Sequence, residues 1–161
     1  NNTKPKKGLK TARMLGHITY LSEKHMDSRF GRKFQDNESK ITRDVDFEIE
    51  NYLQYKGEKF SDAFDANTYI LMTKAMDNFD PSSNEDGDLK KALTNIKSKL
   101  LIIGFKTDWH FPPKKGKEIQ LAAMEAGIKS SFVVLDGKHG HDSFLFMSDR
   151  YFKIIRSFIE S

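Results

Sequence analysis

Two short apolar runs in the second half of the chain constrain its fold most. Leu100–Phe105 and Phe132–Leu135 each have the length and the continuous apolar character of a strand buried on both faces. A helical segment that follows Pro112 and Pro113 separates them. Strands joined by a helix of this length form a β-α-β unit and run parallel. We therefore expect an α/β fold in which both strands end at the same edge of the sheet.

An acidic and a basic side chain follow these strands. Asp108 comes just after the first strand, and His141 comes shortly after the second. Because parallel strands end at one edge, we expect the two side chains to lie within reach of each other. Acid before histidine is the order in the Ser-Asp-His triad of α/β-hydrolases, where the acid orients the histidine. An ordinary loop position for either residue stays open as an alternative.

The nucleophile of such a triad is not found in this sequence. It would occupy a Gly-x-Ser-x-Gly elbow, and no two glycines four positions apart flank a serine here. A doubly wound sheet also needs more than two parallel strands. We therefore expect the N-terminal half of the sheet to be absent and to be supplied by an N-terminal segment or another polypeptide. Since the sequence begins with Asn1 rather than Met, we expect a fragment or a processed product.

The apolar spacing divides the chain into three parts. Residues 1–8 are rich in lysine and are predicted to form a linker, residues 9–87 are predicted to be helical, and residues 88–161 alternate helix and strand. Asp65 and Asp88 are expected to cap helices, and Gly57 is expected to end one. The polar segment from Gln35 to Asp46 shows no clear period. Predicted helices cover about residues 9–20, 23–29, 46–56, 66–76, 88–97 and 149–159.

Composition excludes several classes of protein. The net charge of +4 equals the four lysines among the first ten residues, so it gives no support for a nucleic-acid surface. The absence of cysteine excludes disulfides, thiolate metal sites and a cysteine nucleophile. No apolar run approaches the roughly 20 residues of a membrane span. We expect a soluble, cytoplasmic protein without a membrane partner.

Two further patterns have competing interpretations. His139, His141 and Asp142 resemble part of the H-x-H-x-D-H run of the metallo-β-lactamase family, but the spacing fails because Asp142 directly follows His141. No metal site is therefore predicted. Arg13, His17 and Tyr20 lie at positions i, i+4 and i+7 of a predicted helix and share a face. By spacing alone that face fits a solvent-exposed surface.

Several segments resemble the homoserine O-acetyltransferases, the acyl-CoA-dependent enzymes of methionine biosynthesis. Ala12–Ser22 is similar to the start of the helical lid of that family. Phe30–Arg32, Phe47–Phe60 and Phe64–Ile70 resemble the same lid in the expected order. Asp108–Pro113 and Gly140–Leu145 resemble the segments that carry the acid and the histidine of the family. The resemblance covers nearly the whole chain and corresponds to roughly the second half of the enzyme.

The resemblance implies roles for individual residues. Asp108 and His141 would be the triad acid and base, Arg13 and Tyr20 would help to hold the amino-acid substrate, and Asp142 would bind its ammonium group. The implied fold is the C-terminal part of an α/β-hydrolase domain with an inserted helical lid, which contributes to a homodimer. The serine and the oxyanion hole would lie in the N-terminal half of the enzyme.

The function implied by the resemblance is the transfer of acetyl from acetyl-CoA to the hydroxyl of homoserine through an acyl-serine intermediate. Acetyl-CoA would be a cosubstrate, with no bound cofactor, and the partners would be homoserine and the N-terminal half of the enzyme. Without the nucleophile, this chain alone is predicted to be inactive. The alternatives are a homoserine or serine O-succinyltransferase of the same superfamily, or a helical dimerisation module without catalytic activity.

Overall fold

The computed structural model describes residues 5–35, 46–146 and 148–161. Residues 1–4 of the predicted linker and residues 36–45 of the polar segment lie outside the described residues. The chain divides into two compact units. The first comprises Asn1–Thr19 and Glu23–Phe79, and the second comprises Tyr20–Ser22 and Asp80–Ser161. The sequence pattern predicts this division at residue 87 and does not separate Tyr20–Ser22 from the helical part.

The first unit is helical. Helix α1 (Lys6–Tyr20) is followed by α2 (Glu23–Arg29), α3 (Glu48–Ala63) and α4 (Ala66–Asp77). Helix α1 begins at Lys6, so part of the predicted linker is helical. Two ion pairs join this helix to α3: Lys6 pairs with Asp62 at 2.5 Å, and Lys10 pairs with Glu58 at 2.7 Å.

Helix α3 continues through Gly57, so the predicted end at this glycine is wrong. Gly57 is buried, and a Cβ atom there would lie 2.9 Å from the carbonyl oxygen of Lys10 and 2.7 Å from its Cγ. The glycine therefore permits a close approach of α1 and α3 instead of ending a helix.

The predicted cap of α4 is confirmed. The backbone N–H of Thr68 donates a hydrogen bond of 2.7 Å to Oδ2 of Asp65, the residue before the helix. Aromatic rings pack between α3 and α4, with the ring centroids of Phe60 and Tyr69 separated by 5.9 Å. The aromatic residues of this region thus contribute to helix packing.

The second unit contains the predicted β-α-β unit. Strand β1 (Leu100–Phe105) and strand β2 (Ser130–Leu135) pair in parallel, and α6 (Pro113–Glu125) connects them. Within the described residues the sheet has these two strands. The β1 side chains are only partly buried, because a two-stranded sheet offers them little apolar area to pack against.

Further helices complete the second unit. Helix α5 (Leu89–Leu93) is capped by Asp88, as predicted, but ends earlier than expected. A 3-10 helix (Gly140–Leu145) follows β2, and α7 (Asp149–Glu160) ends the unit close to its predicted bounds. Another 3-10 helix spans Ser83–Glu85. None of the helices in the described part of the chain combines the length and the apolar character needed to cross a membrane.

Candidate active site

Asp108 lies just beyond the end of β1 and is held by the backbone around it. Its Oδ1 accepts hydrogen bonds from the backbone N–H groups of His110, at 3.0 Å, and Phe111, at 2.8 Å. The side chain is 7% exposed. Two donors on one oxygen fix the orientation of the carboxylate and leave Oδ2 available for another partner.

That partner is His141, in the 3-10 helix Gly140–Leu145 after β2. The Nδ1 atom of His141 lies 3.0 Å from Oδ2 of Asp108. A carboxylate only accepts hydrogen bonds, so the neutral imidazole donates from Nδ1 and keeps its acceptor at Nε2. Among the described residues, Nε2 has no hydrogen-bond partner, and the side chain is 27% exposed. The arrangement therefore presents an oriented and accessible base.

Hydrogen bonds also join the segments that follow β1 and β2. The backbone N–H of Lys106 donates to the carbonyl of Leu135 at 2.9 Å. The hydroxyl of Thr107 donates to the carbonyl of Gly137 at 2.7 Å and accepts from the backbone N–H of Gly140 at 3.2 Å. The two chain segments therefore remain hydrogen-bonded beyond the ends of the strands, up to the residues that precede Asp108 and His141.

The segment Tyr20–Ser22 packs against the loop that precedes His141. The Ser22 hydroxyl donates to the carbonyl of Lys138 at 2.5 Å. Gly140 has a φ of 65°, and a Cβ atom there would lie 2.5 Å from the carbonyl oxygen of Tyr20. Glycine is therefore required at this position by both its conformation and its surroundings.

Aromatic rings surround the imidazole of His141. Its ring centroid lies 5.2 Å from that of Tyr20, 5.0 Å from Phe111, 5.6 Å from Phe144 and 5.7 Å from His110. Of these four residues, only Tyr20 has a role predicted from the sequence. The other three belong to the same segments as Asp108 and His141. Their closeness in sequence to these two residues is the one signal that could have predicted them as part of the site.

The structure brings three of the five predicted site residues together: Asp108, His141 and Tyr20. Asp142 follows His141 on the same 3-10 helix and is half-buried. Its carboxylate makes no hydrogen bond or ion pair with the described residues. Arg13 lies in α1 of the first unit, with its guanidinium carbon 5.2 Å from the centroid of the Phe60 ring.

Spacing places Arg13 and His17 on one helix face, and both contact α3, so this face is not the solvent-exposed surface that spacing alone fits. His17 turns toward α3, where its Nδ1 lies 3.1 Å from the hydroxyl of Tyr52. In the described residues, no group of three or more His, Cys, Asp or Glu side chains could hold a metal ion. His139 instead stacks on Phe146, with ring centroids 4.1 Å apart.

One exposed ion pair lies beside the strand ends. Lys106 Nζ contacts Oδ1 of Asp136 at 2.6 Å. The hydrogen bond and the positive charge of Lys106 lower the pKa of the Asp136 carboxyl below its ordinary value. This second acid at the sheet edge is therefore paired with a lysine.

The parallel strands and the acid-histidine pair at their ends define the α/β-hydrolase class of fold, here its C-terminal part with a helical insertion. The esterase E22 L374D mutant superposes with a TM-score of 0.80 and 24% identity, over 98% of this chain and 43% of that chain. Homoserine O-acetyltransferase from Bacillus anthracis superposes with a TM-score of 0.77 and 19% identity, over 91% of this chain and 39% of that chain. The predicted fold class is thereby confirmed.

Sequence relatives are more similar. The homoserine O-succinyltransferase of Litchfieldella anticariensis is 48% identical over 159 residues, which are 99% of this chain and 41% of the relative. The homoserine O-succinyltransferase of Nitrosomonas eutropha is 44% identical over 161 residues, which are 100% of this chain and 43% of the relative. The chain thus spans about two fifths of the length of these curated relatives. No protein-family model matches the sequence.

Proposed function

We propose that the protein carrying this chain transfers an acyl group from acyl-CoA to the hydroxyl of homoserine, and that this chain supplies the acid and the base. The observation that carries the proposal is the 3.0 Å hydrogen bond between Asp108 and His141. It occurs in a chain 48% identical to a protein named homoserine O-succinyltransferase.

In the first step, the nucleophilic serine of the proposed N-terminal half attacks the thioester carbonyl. His141 Nε2 accepts the serine proton as the new C–O bond forms, and Asp108 stabilises the resulting imidazolium. The C–S bond then breaks, and the proton passes from His141 to the departing sulfur of CoA. The products of this step are free CoA and an acyl-serine ester.

In the second step, homoserine takes the place of CoA. His141 Nε2 accepts the proton of the homoserine hydroxyl, whose oxygen attacks the carbonyl of the acyl-serine. The ester bond to serine breaks, and the proton returns from His141 to the serine oxygen. The product is O-acyl-homoserine, and the enzyme is restored.

The acceptor must be held so that its hydroxyl, and not water, meets the acyl carbon. The Asp142 carboxylate is suited to the ammonium group of homoserine because it follows the base directly and makes no ion pair with the described residues. Tyr20 lies against the His141 ring and would line the same site. The role of Arg13 in holding the amino acid rests on the resemblance alone.

The proposed acyl donor differs from the one that the family resemblance implies. That resemblance implies acetyl-CoA, whereas the curated relatives are named succinyltransferases. The proposal therefore takes succinyl-CoA as the preferred donor and keeps acetyl-CoA as the second candidate.

A CoA-release assay tests the proposal. The full-length protein should release CoA from succinyl-CoA only when homoserine is present, and mass spectrometry should detect O-succinyl-homoserine. His141→Ala should abolish both signals. A preference for acetyl-CoA would replace succinyl-CoA as the proposed donor. If CoA is released from neither donor, the homoserine acyltransferase function is rejected.

Two properties of the assembly belong to the same proposal. The helical lid would form a homodimer, and the protein would work in the cytoplasm. Light scattering of the full-length protein should give twice the monomer mass. A stable dimer without transferase activity would favour the alternative of a dimerisation module without catalysis.

A further inference from the structure

The hydroxyl of Thr107 occupies a bridging position at the edge of the sheet. Thr107 precedes the acid Asp108, and Gly140 precedes the base His141. The backbone N–H of Gly140 donates to Thr107 Oγ1 at 3.2 Å, beside the Asp108–His141 hydrogen bond of 3.0 Å. Two neighbouring residues after β1 thus bind two neighbouring residues after β2.

The second hydrogen bond of Thr107 completes the bridge. Its Oγ1 donates to the carbonyl of Gly137 at 2.7 Å, so a single hydroxyl holds both ends of the segment from Gly137 to Gly140. This segment leads directly into the 3-10 helix that carries His141. Removing the hydroxyl would leave a backbone donor and a backbone acceptor without their partner.

We propose that Thr107 is a positioning residue that fixes the His141 loop so that Nδ1 faces the Asp108 carboxylate. The inference rests on the proposed acyl transfer, in which the placement of His141 Nε2 decides the rate of both steps. The described hydrogen bonds of the Thr107 hydroxyl go to Gly137 and Gly140 and not to the imidazole or the carboxylate, so it acts through these two glycines.

The test compares variants of the full-length protein that remove or keep the hydroxyl. Thr107→Val keeps the branched shape and removes both hydrogen bonds, Thr107→Ala provides a second variant without the hydroxyl, and Thr107→Ser restores it. Misplacing a general base by about 1 Å costs up to roughly 100-fold in rate. We expect kcat to fall between about 10- and 100-fold in the first two variants, to recover in Thr107→Ser, and KM for acyl-CoA to change little.

A second readout does not depend on transferase activity. The Nδ1 proton of His141, hydrogen-bonded to a carboxylate, should give a low-field proton resonance that disappears in His141→Ala. We expect Thr107→Val and Thr107→Ala to shift or broaden it through exchange with water, and Thr107→Ser to retain it. Thr94→Val is the matched control, because its hydroxyl donates to the carbonyl of Lys91 at 2.7 Å on the exposed end of α5.

Several outcomes would overturn the inference. An unchanged resonance and unchanged kcat in the variants without the hydroxyl would do so, as would a lower kcat with an unchanged resonance. An equal loss in Thr107→Ser would show that the hydroxyl is not the cause. If Thr107→Val fails to fold, the comparison of Thr107→Ala with Thr107→Ser decides. If the wild type lacks homoserine acyl transfer, the proposed function fails and the resonance still tests Thr107.

Discussion

His141 and Asp108 are 33 residues apart in sequence, and their side chains form a hydrogen bond of 3.0 Å. The pairing follows from the parallel strands β1 and β2, whose last residues Phe105 and Leu135 are partners in the sheet. One carboxylate oxygen binds two backbone N–H groups and the other binds the imidazole. The carboxylate therefore holds the imidazole in one orientation.

Replacing the acid tests whether the Asp108 carboxylate sets the tautomer of His141. Asp108→Asn keeps the shape of the side chain, but its amide can donate toward Nδ1 and favour the wrong tautomer of His141. We expect kcat of the full-length protein to fall by roughly 10³- to 10⁴-fold with little change in KM. Steady-state kinetics of CoA release measure both. Asp136→Asn is the control, and an equal loss there would contradict the assignment of Asp108.

The close contact at Gly140 predicts a loss of both stability and activity. In Gly140→Ala, the left-handed backbone would cost about 1–2 kcal/mol, and the new Cβ would meet the carbonyl oxygen of Tyr20 at 2.5 Å. Urea denaturation should show a lower free energy of unfolding, and kcat should fall. Gly87→Ala is matched, because Gly87 has a φ of 80° with nothing within 4 Å. It should lose stability and keep kcat; an equal effect of the two variants on kcat would contradict the importance of the contact with Tyr20.

The packing of α1 on α3 predicts opposite effects at two glycines inside helices. Gly57→Ala should destabilise the protein by about 1–3 kcal/mol, since overpacking forces side chains and backbone to move. The contact is with the backbone oxygen of Lys10, at 2.9 Å, as well as with a flexible side chain. Gly16→Ala meets nothing within 4 Å and should stabilise by about 0.5–1 kcal/mol. Urea titrations measure the free energy of unfolding of both variants. A Gly57→Ala variant more stable than the wild type would contradict this account of the helix contact.

The ion pair at the sheet edge predicts a pH effect. Lys106 lowers the pKa of Asp136 through a hydrogen bond and its charge. Because the folded-state pKa is below the unfolded one, the stabilisation is present above the unfolded pKa and is lost as the pH falls through the folded pKa. Lys106→Met should raise the pKa of Asp136 in a carbon-13 NMR titration. Lys115→Met, which breaks the pair with Glu118, should leave it unchanged. An unchanged pKa in Lys106→Met would show that Lys106 does not cause the shift.

The sequence predicts the features that depend on local signals. Apolar runs and an intervening helix are enough for the parallel pair, and the rule that parallel strands end together places Asp108 near His141. Asp65 and Asp88 are recognisable as helix caps because a short acidic side chain binds the backbone within its own turn.

Features that depend on distant partners cannot be predicted in this way. Helix α1 begins at Lys6, which pairs with Asp62, a residue 56 positions away in the sequence. Gly57 has the sequence character of a helix end, although its role lies in contact with another helix. Spacing places Arg13 and His17 on one helix face but does not reveal their partners on α3, Phe60 and Tyr52. The rings of His110, Phe111 and Phe144 meet His141 through loop geometry that no periodic pattern encodes.

A complementation assay that follows CoA release from succinyl-CoA and homoserine tests whether this chain supplies the acid and the base to a serine outside it. This chain, the N-terminal half and their mixture are assayed separately, with the full-length protein as reference. We predict no activity for either part alone and restored activity for the mixture, which His141→Ala in this chain abolishes. Activity from this chain alone, or activity of the full-length His141→Ala variant equal to that of the wild type, would contradict this division of the catalytic residues.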